Sequence, residues 1–120
     1  MRRSLRLVAS ALLVLTLSLP VFANPDFPPA KFSAVRSPVP AGGEGLVSVQ
    51  TRPDTYCVIA VIYKSGPSKA KGLGPRVADA QGSITWTWKI GTRTTPGTWP
   101  IVVECGKGEV TRIRTTFEVI

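Results

Sequence analysis

The chain of 120 residues contains no histidine, and its cysteines number 2 and its methionines 1. Without imidazole there is no Ser-His or Cys-His nucleophile pair, no histidine general base and no His-ligated zinc. Two thiols cannot complete a four-thiolate metal site. Acids are also scarce: 7 Asp+Glu stand against 15 Lys+Arg. They occur singly, as Asp26, Glu44, Asp54, Asp79, Glu104, Glu109 and Glu118, so no local spacing suggests a calcium loop or a glycosidase pair. Long apolar runs are missing everywhere except at the start. These absences argue against catalysis, and they imply neither a metal nor a cofactor.

The first 23 residues divide into a head bearing Arg2, Arg3 and Arg6, an apolar run from residue 7 to 19, and Pro20-Val21-Phe22-Ala23. This is the tripartite pattern of a secretory signal, with Val21 and Ala23 at the small-residue positions of a peptidase site and cleavage expected after Ala23. The alternative is a retained anchor, but Pro20 interrupts a stretch already at the short end of the ~17–25 residues that span a bilayer. Whether export follows the general route or a twin-arginine route is left open by Arg2-Arg3. The expected localisation is exported: periplasmic, cell-surface or extracellular, with membrane contact only through the signal during export.

Removing the three arginines of that segment leaves 12 bases against 7 acids, a charge of +5 rather than the +8 of the whole chain. Nucleic acid is therefore disfavoured as a partner. In an oxidising compartment Cys57 and Cys105 are expected to pair. They lie 48 positions apart, for which the chain-entropy model gives about 4 kcal/mol of stabilisation.

With 43% of residues hydrophobic, the length suits one compact domain. Pro25, Pro28, Pro29, Pro38 and Pro40 forbid helix over residues 24–40, which read as a proline-rich linker whose segment 31–36 is able to add an edge strand. From residue 41 to 120 apolar alternation is broken by turn residues at short intervals, the signature of an all-β sandwich or barrel. Strands are predicted at 45–51, 56–63, 76–79, 83–90, 98–105 and 109–119. Parity puts Cys57, Ile59, Val61 and Tyr63 on one side of their strand, and Trp99, Ile101, Val103 and Cys105 on one side of theirs. A bridge between the cysteines is thus expected to tie two apolar faces across the core. Trp86 and Trp88 alternate with Thr85, Thr87 and Lys89, so Trp86, Trp88 and Trp99 are assigned to the core rather than to an outward stacking platform.

The most distinctive surface is residues 64–76, which hold Lys64, Ser65, Ser68, Lys69, Lys71 and Arg76 among three glycines. A long exposed loop of this kind is a candidate site for phosphate or carboxylate groups, or for a protein partner. The competing reading is a solvated loop that keeps the domain soluble and guards a sheet edge. Ser68-Lys69-Ala70-Lys71 formally matches a Ser-x-x-Lys nucleophile pattern, but Pro67 and Gly72 deny it the helix that pattern requires.

Two cysteines with tryptophans between them, about seven short strands, and the segments Thr51-Arg52-Pro53-Asp54-Thr55-Tyr56-Cys57, Tyr63-Lys64-Ser65-Gly66-Pro67-Ser68, Gly82-Ser83-Ile84-Thr85-Trp86-Thr87-Trp88 and Thr95-Pro96-Gly97-Thr98-Trp99 resemble the small immunoglobulin-like modules of bacterial exported proteins. The resemblance covers roughly residues 40–119. It implies an immunoglobulin-like β-sandwich with one disulfide, acting as an accessory or adhesive binding unit. One departure is that the tryptophans sit late, on the strand before the second cysteine strand. The expected function is non-catalytic contact with an anionic envelope polymer or a protein partner, the alternative being a small extracytoplasmic protease inhibitor or assembly chaperone.

Overall fold

The structure, a computed structural model, describes residues 27–120. The expected signal peptide lies outside the described residues. Eight strands and no helix occur among those described: β1 (Lys31–Val35), β2 (Glu44–Gln50), β3 (Tyr56–Tyr63), β4 (Gly66–Pro67), β5 (Arg76–Val77), β6 (Ser83–Lys89), β7 (Gly97–Cys105) and β8 (Thr111–Val119). They form two sheets, one ordered β1-β2-β6 and the other β4-β3-β7-β8 with β5 also on β3. Every strand-to-strand pairing is antiparallel.

The first sheet turns a layer of alternating size inward. Gly45 lies opposite Trp88, Val47 opposite Trp86 and Val49 opposite Ile84, and all six residues are buried. Gly45 is required there because a Cβ would stand 2.4 Å from the Trp88 ring. The second sheet answers with Cys57, Val61, Ile101, Val103, Cys105, Phe117 and Val119, and the two sets form one core. Trp88 meets Phe117 edge to face across it, with ring centroids 5.8 Å apart.

Cys57 and Cys105 are bonded and fully buried. The bond does not cross the core as the parity reading proposed. β3 and β7 are neighbours in one sheet, and Cys57 is the direct partner of Cys105, with Cα atoms 4.1 Å apart. Direct partners in an antiparallel pair point to the same face, so the shared parity arises within a sheet as readily as between sheets. Beyond Val61↔Ile101 the β3–β7 ladder stops. The next β7 residue toward that end is Pro100, which has no N–H to offer β3, while along the other edge of β3 Ile62 pairs with Pro67 of β4.

Residues 28–40 are part of the packed unit rather than a linker. β1 adds to β2 through a register shift at Phe32/Ala34. The chain then passes through a cis Ser37-Pro38 bond to the second sheet, where Val39 is buried and bridges Val119. The carbonyl oxygens of Pro28 and Pro29 accept from the hydroxyls of Thr111 and Thr51. Proline blocks regular pairing by removing donors, but its carbonyl still accepts, which is how this segment docks.

Replacing both cysteines by alanine is expected to lower unfolding free energy by about 3–4 kcal/mol, through a denatured chain freed of its crosslink. Urea denaturation of the oxidised and double-variant proteins measures this; a loss under about 1 kcal/mol would show that the β3–β7 pairing does not need the bond.

Candidate functional site

β3 runs from Tyr56 at one end of the molecule to Tyr63 at the other, and β7 runs back from Gly97 to Cys105. The register set by Cys57↔Cys105 therefore brings the turn after Tyr63 beside the connection that precedes β7. Between them lies a cleft of about 600 Å³, lined by Tyr63, Lys64, Ser65, Gly91, Arg93, Thr94 and Thr95. This volume falls within the range of small-ligand sites.

The walls are held by tryptophan N–H groups, which can only donate. The Trp88 indole donates to the Tyr63 hydroxyl oxygen at 3.1 Å, joining the two sheets, and the Trp99 indole donates to Thr95 O at 2.9 Å, fixing the opposite wall. Thr94 N donates to Gly91 O and closes a turn. Tyr63 also lies edge to face with Trp99 and with Phe117, at centroid distances of 6.3 and 6.1 Å. Since the Tyr63 oxygen accepts a hydrogen bond from the Trp88 indole, its own O–H is left to donate. Burial holds the Tyr63 phenol above its ordinary value, with the Trp88 hydrogen bond pulling weakly the other way. The group is therefore a neutral donor throughout the physiological range.

The cleft is lined by two cations and no acid. Among the described residues the ion pairs are Arg36–Glu44 and Arg112–Glu104, so neither Lys64 nor Arg93 is neutralised by a bonded carboxylate. Two cations, a phenol and the hydroxyls of Ser65, Thr94 and Thr95 suit an oxygen-rich anion.

The structure brings together only part of the 64–76 surface. Lys64 and Ser65 enter the cleft. Ser68 is occupied locally, its Oγ accepting from Ala70 N at 3.1 Å. Lys69 and Lys71 are exposed on a segment that crosses from β4 to the rim of β6, where Leu73 packs on the core and Gly74 O accepts from the Trp86 indole at 2.9 Å. Gly72 sits so close to Thr87 O that a Cβ would come within 2.0 Å. This stretch is a strap over the sheet rim rather than a free loop. Arg76 pairs opposite Cys57 at the far end of β3, roughly 20 Å of strand from Lys64.

Trp86 and Trp88 are buried, whereas Trp99 is half-buried beside the cleft. Tyr63, Arg93, Thr94 and Thr95 were not singled out as site residues by sequence. The signal existed in the cysteines, since pairing Cys57 directly with Cys105 forces residues 64 and 91–97 to the same end. A second hollow, of about 370 Å³, lies at the opposite end between Pro28, Tyr56, Val77 and Gly106, where Arg52 and Lys107 are balanced by Asp54 and Glu109.

No protein-family model matches the chain, and no curated protein matches it. Among solved structures it is similar to a β-glucosidase from Listeria innocua in complex with glucose, with 14% sequence identity and a TM-score of 0.45, over 77% of this chain and 16% of that one. The chain thus spans about a sixth of that enzyme's length.

Changing Tyr63 to Phe is expected to cost about 1–3 kcal/mol, because it strands the Trp88 N–H without a partner. Folding linkage has a definite sign here: the raised phenol contributes stability that is complete below pH ~10 and is lost as pH climbs through the folded-state value. Denaturant curves at pH 8 and pH 11 should show wild type losing more stability than Tyr63→Phe; parallel losses would contradict this.

Proposed function

We propose that the chain is an exported immunoglobulin-like β-sandwich that binds without catalysis, holding an anionic envelope polymer at the Tyr63 end. The carrying observation is the cleft in which Lys64 and Arg93 stand with a phenolic donor and no acid. Phosphate or carboxylate groups along a glycan would meet both cations, and the polymer would continue over the exposed Lys69 and Lys71 of the strap.

The sandwich type is supported by two antiparallel sheets around one core, in which β1, β2 and β6 face β3, β7 and β8. Its disulfide differs in place from the bond joining the two sheets in antibody domains, lying instead within one sheet. Export is supported by the bonded cysteines, which fit an oxidising compartment, together with the tripartite N-terminal pattern. Among the described residues no helix is long and apolar enough to cross a membrane.

The test is adsorption of the purified protein to a carboxylated polysaccharide such as polygalacturonate, with neutral dextran as control, at low and high salt. Binding to the charged polymer alone, falling with ionic strength, is expected. Reversing Lys64 and Arg93 to Glu should weaken it by about tenfold or more, whereas neutralising Arg76, which lies at the other end, should change it by less than about twofold. Equal binding by wild type and the double reversal would remove the cleft from the function.

A further inference from the structure

Each sheet of an open two-layer fold has edges, and natural proteins blunt them to prevent pairing with foreign chains. Three of the four edges here are blunted. β1 carries the register shift at Phe32/Ala34. β6 is covered by the strap, with Gly72 against Thr87 O. On the β3 side of the second sheet, β4 and β5 are two residues each. β8 differs from all of these: its nine residues pair with β7 without interruption, from Thr111 opposite Cys105 to Val119 opposite Gly97.

Hydrogen bonding tells which β8 residues look outward along the edge. Glu118 O accepts from Val39 N, and Glu118 N donates to Ser37 Oγ. Even-numbered residues therefore direct their backbone groups away from β7, since successive residues of a strand alternate. Glu118 is thus paired, and Thr111 is capped through its hydroxyl on Pro28 O. Between these anchors Arg112, Arg114 and Thr116 are left with N–H and C=O groups facing out, and no backbone bond reaches them from outside the sheet among the described residues. Their side chains are exposed. Arg112 is bonded to Glu104 at 3.0 Å; Arg114 lies beside Val102 of β7 and has no ion-pair partner among the described residues.

We infer that this edge accepts an extended acidic peptide segment as an added strand, with main-chain bonds to residues 112, 114 and 116 and a carboxylate on Arg114. The charge chooses the occupant. A two-fold pairing of β8 with a second copy would set Arg114 against Arg114 or Arg112 against Arg114, and like charges directly opposite are destabilising. The longest register that escapes this clash, Arg114 opposite Thr116, sets Arg112 opposite Glu118, whose outward groups Val39 and Ser37 already hold, and so leaves two residues of each copy to pair. The same arginines that repel a second copy attract Glu or Asp at alternate positions of a foreign strand.

The probe is a ten-residue peptide with blocked ends in which Glu alternates with Val and Thr, compared with the same peptide carrying Lys for Glu. Amide hydrogen exchange by NMR on the full chain is the readout. In the free protein the amides of residues 112, 114 and 116 should exchange fast while those of 113, 115 and 117 are protected, at every protein concentration. A saturating Glu peptide should slow the three fast amides by about tenfold or more, and the Lys peptide should not. Thr116→Pro removes one outward donor without touching the β7 ladder and should weaken Glu-peptide binding about tenfold. Arg114→Glu should exchange the preference in favour of the Lys peptide, a gain that a misfolded variant could not produce. Equal response to both peptides, protection confined to Tyr63 and Lys64 at the cleft, indifference to Thr116→Pro, or concentration-dependent protection in the free protein would each overturn the assignment.

Discussion

The pairing of β3 with β7 governs the rest of the molecule. Once Cys57 stands opposite Cys105, Ile59 must stand opposite Val103 and Val61 opposite Ile101, and a slip of one residue would turn that whole apolar set to water. The sulfur bridge makes such a slip covalently impossible. It does nothing to hold one sheet against the other, because both sulfurs belong to the same layer. That task falls to noncovalent contacts: Trp88 against Phe117, the Trp88 N–H on Tyr63, and Trp86 hung from the Gly74 carbonyl. The tryptophans thus serve as inter-sheet fasteners as well as core volume.

Strand positions were largely legible because alternation of period two survives wherever one face is wet. The 56–63 segment is bounded in the structure as the pattern predicts, and the other long strands begin and end within about two residues of expectation. What parity could not carry was adjacency. It states which residues share a face, and both neighbouring and opposed strands satisfy it, so parity alone does not distinguish a bridge across the core from one along a sheet, which is where it lies. The two-residue β4 is too short to show a period, and it lies along the edge of β3 opposite β7. The docking of the proline-dense segment is hidden from the sequence for a related reason. Composition shows what its nitrogens cannot donate, but it does not show that Pro28 and Pro29 would anchor it through their oxygens.

Of the candidate site, Lys64 and Ser65 were legible as part of a basic surface, whereas Arg93, Thr94 and Thr95 were not, since they come from a connection 28 and more positions away that only the strand register brings near. The acids are the less visible half of the electrostatics. Glu44 and Glu104 are engaged by Arg36 and Arg112, and Asp79 spends its Oδ1 on the Gln81 and Ser83 amides at 2.9 and 2.8 Å. Those exposed ion pairs are worth only about 0–1 kcal/mol each. Their larger effect is on distribution: with carboxylates engaged elsewhere, the positive field at the Tyr63 end is not cancelled at short range.

The described chain begins at Phe27 beside Arg52, whose guanidinium donates to the Phe27 carbonyl at 3.1 Å, at the end of the strands remote from Tyr63. This arrangement gives the molecule a tail and a head. The chain thus enters the domain at the end opposite the phenol-lined hollow, so a partner seated on the hollow approaches from the side away from that entry.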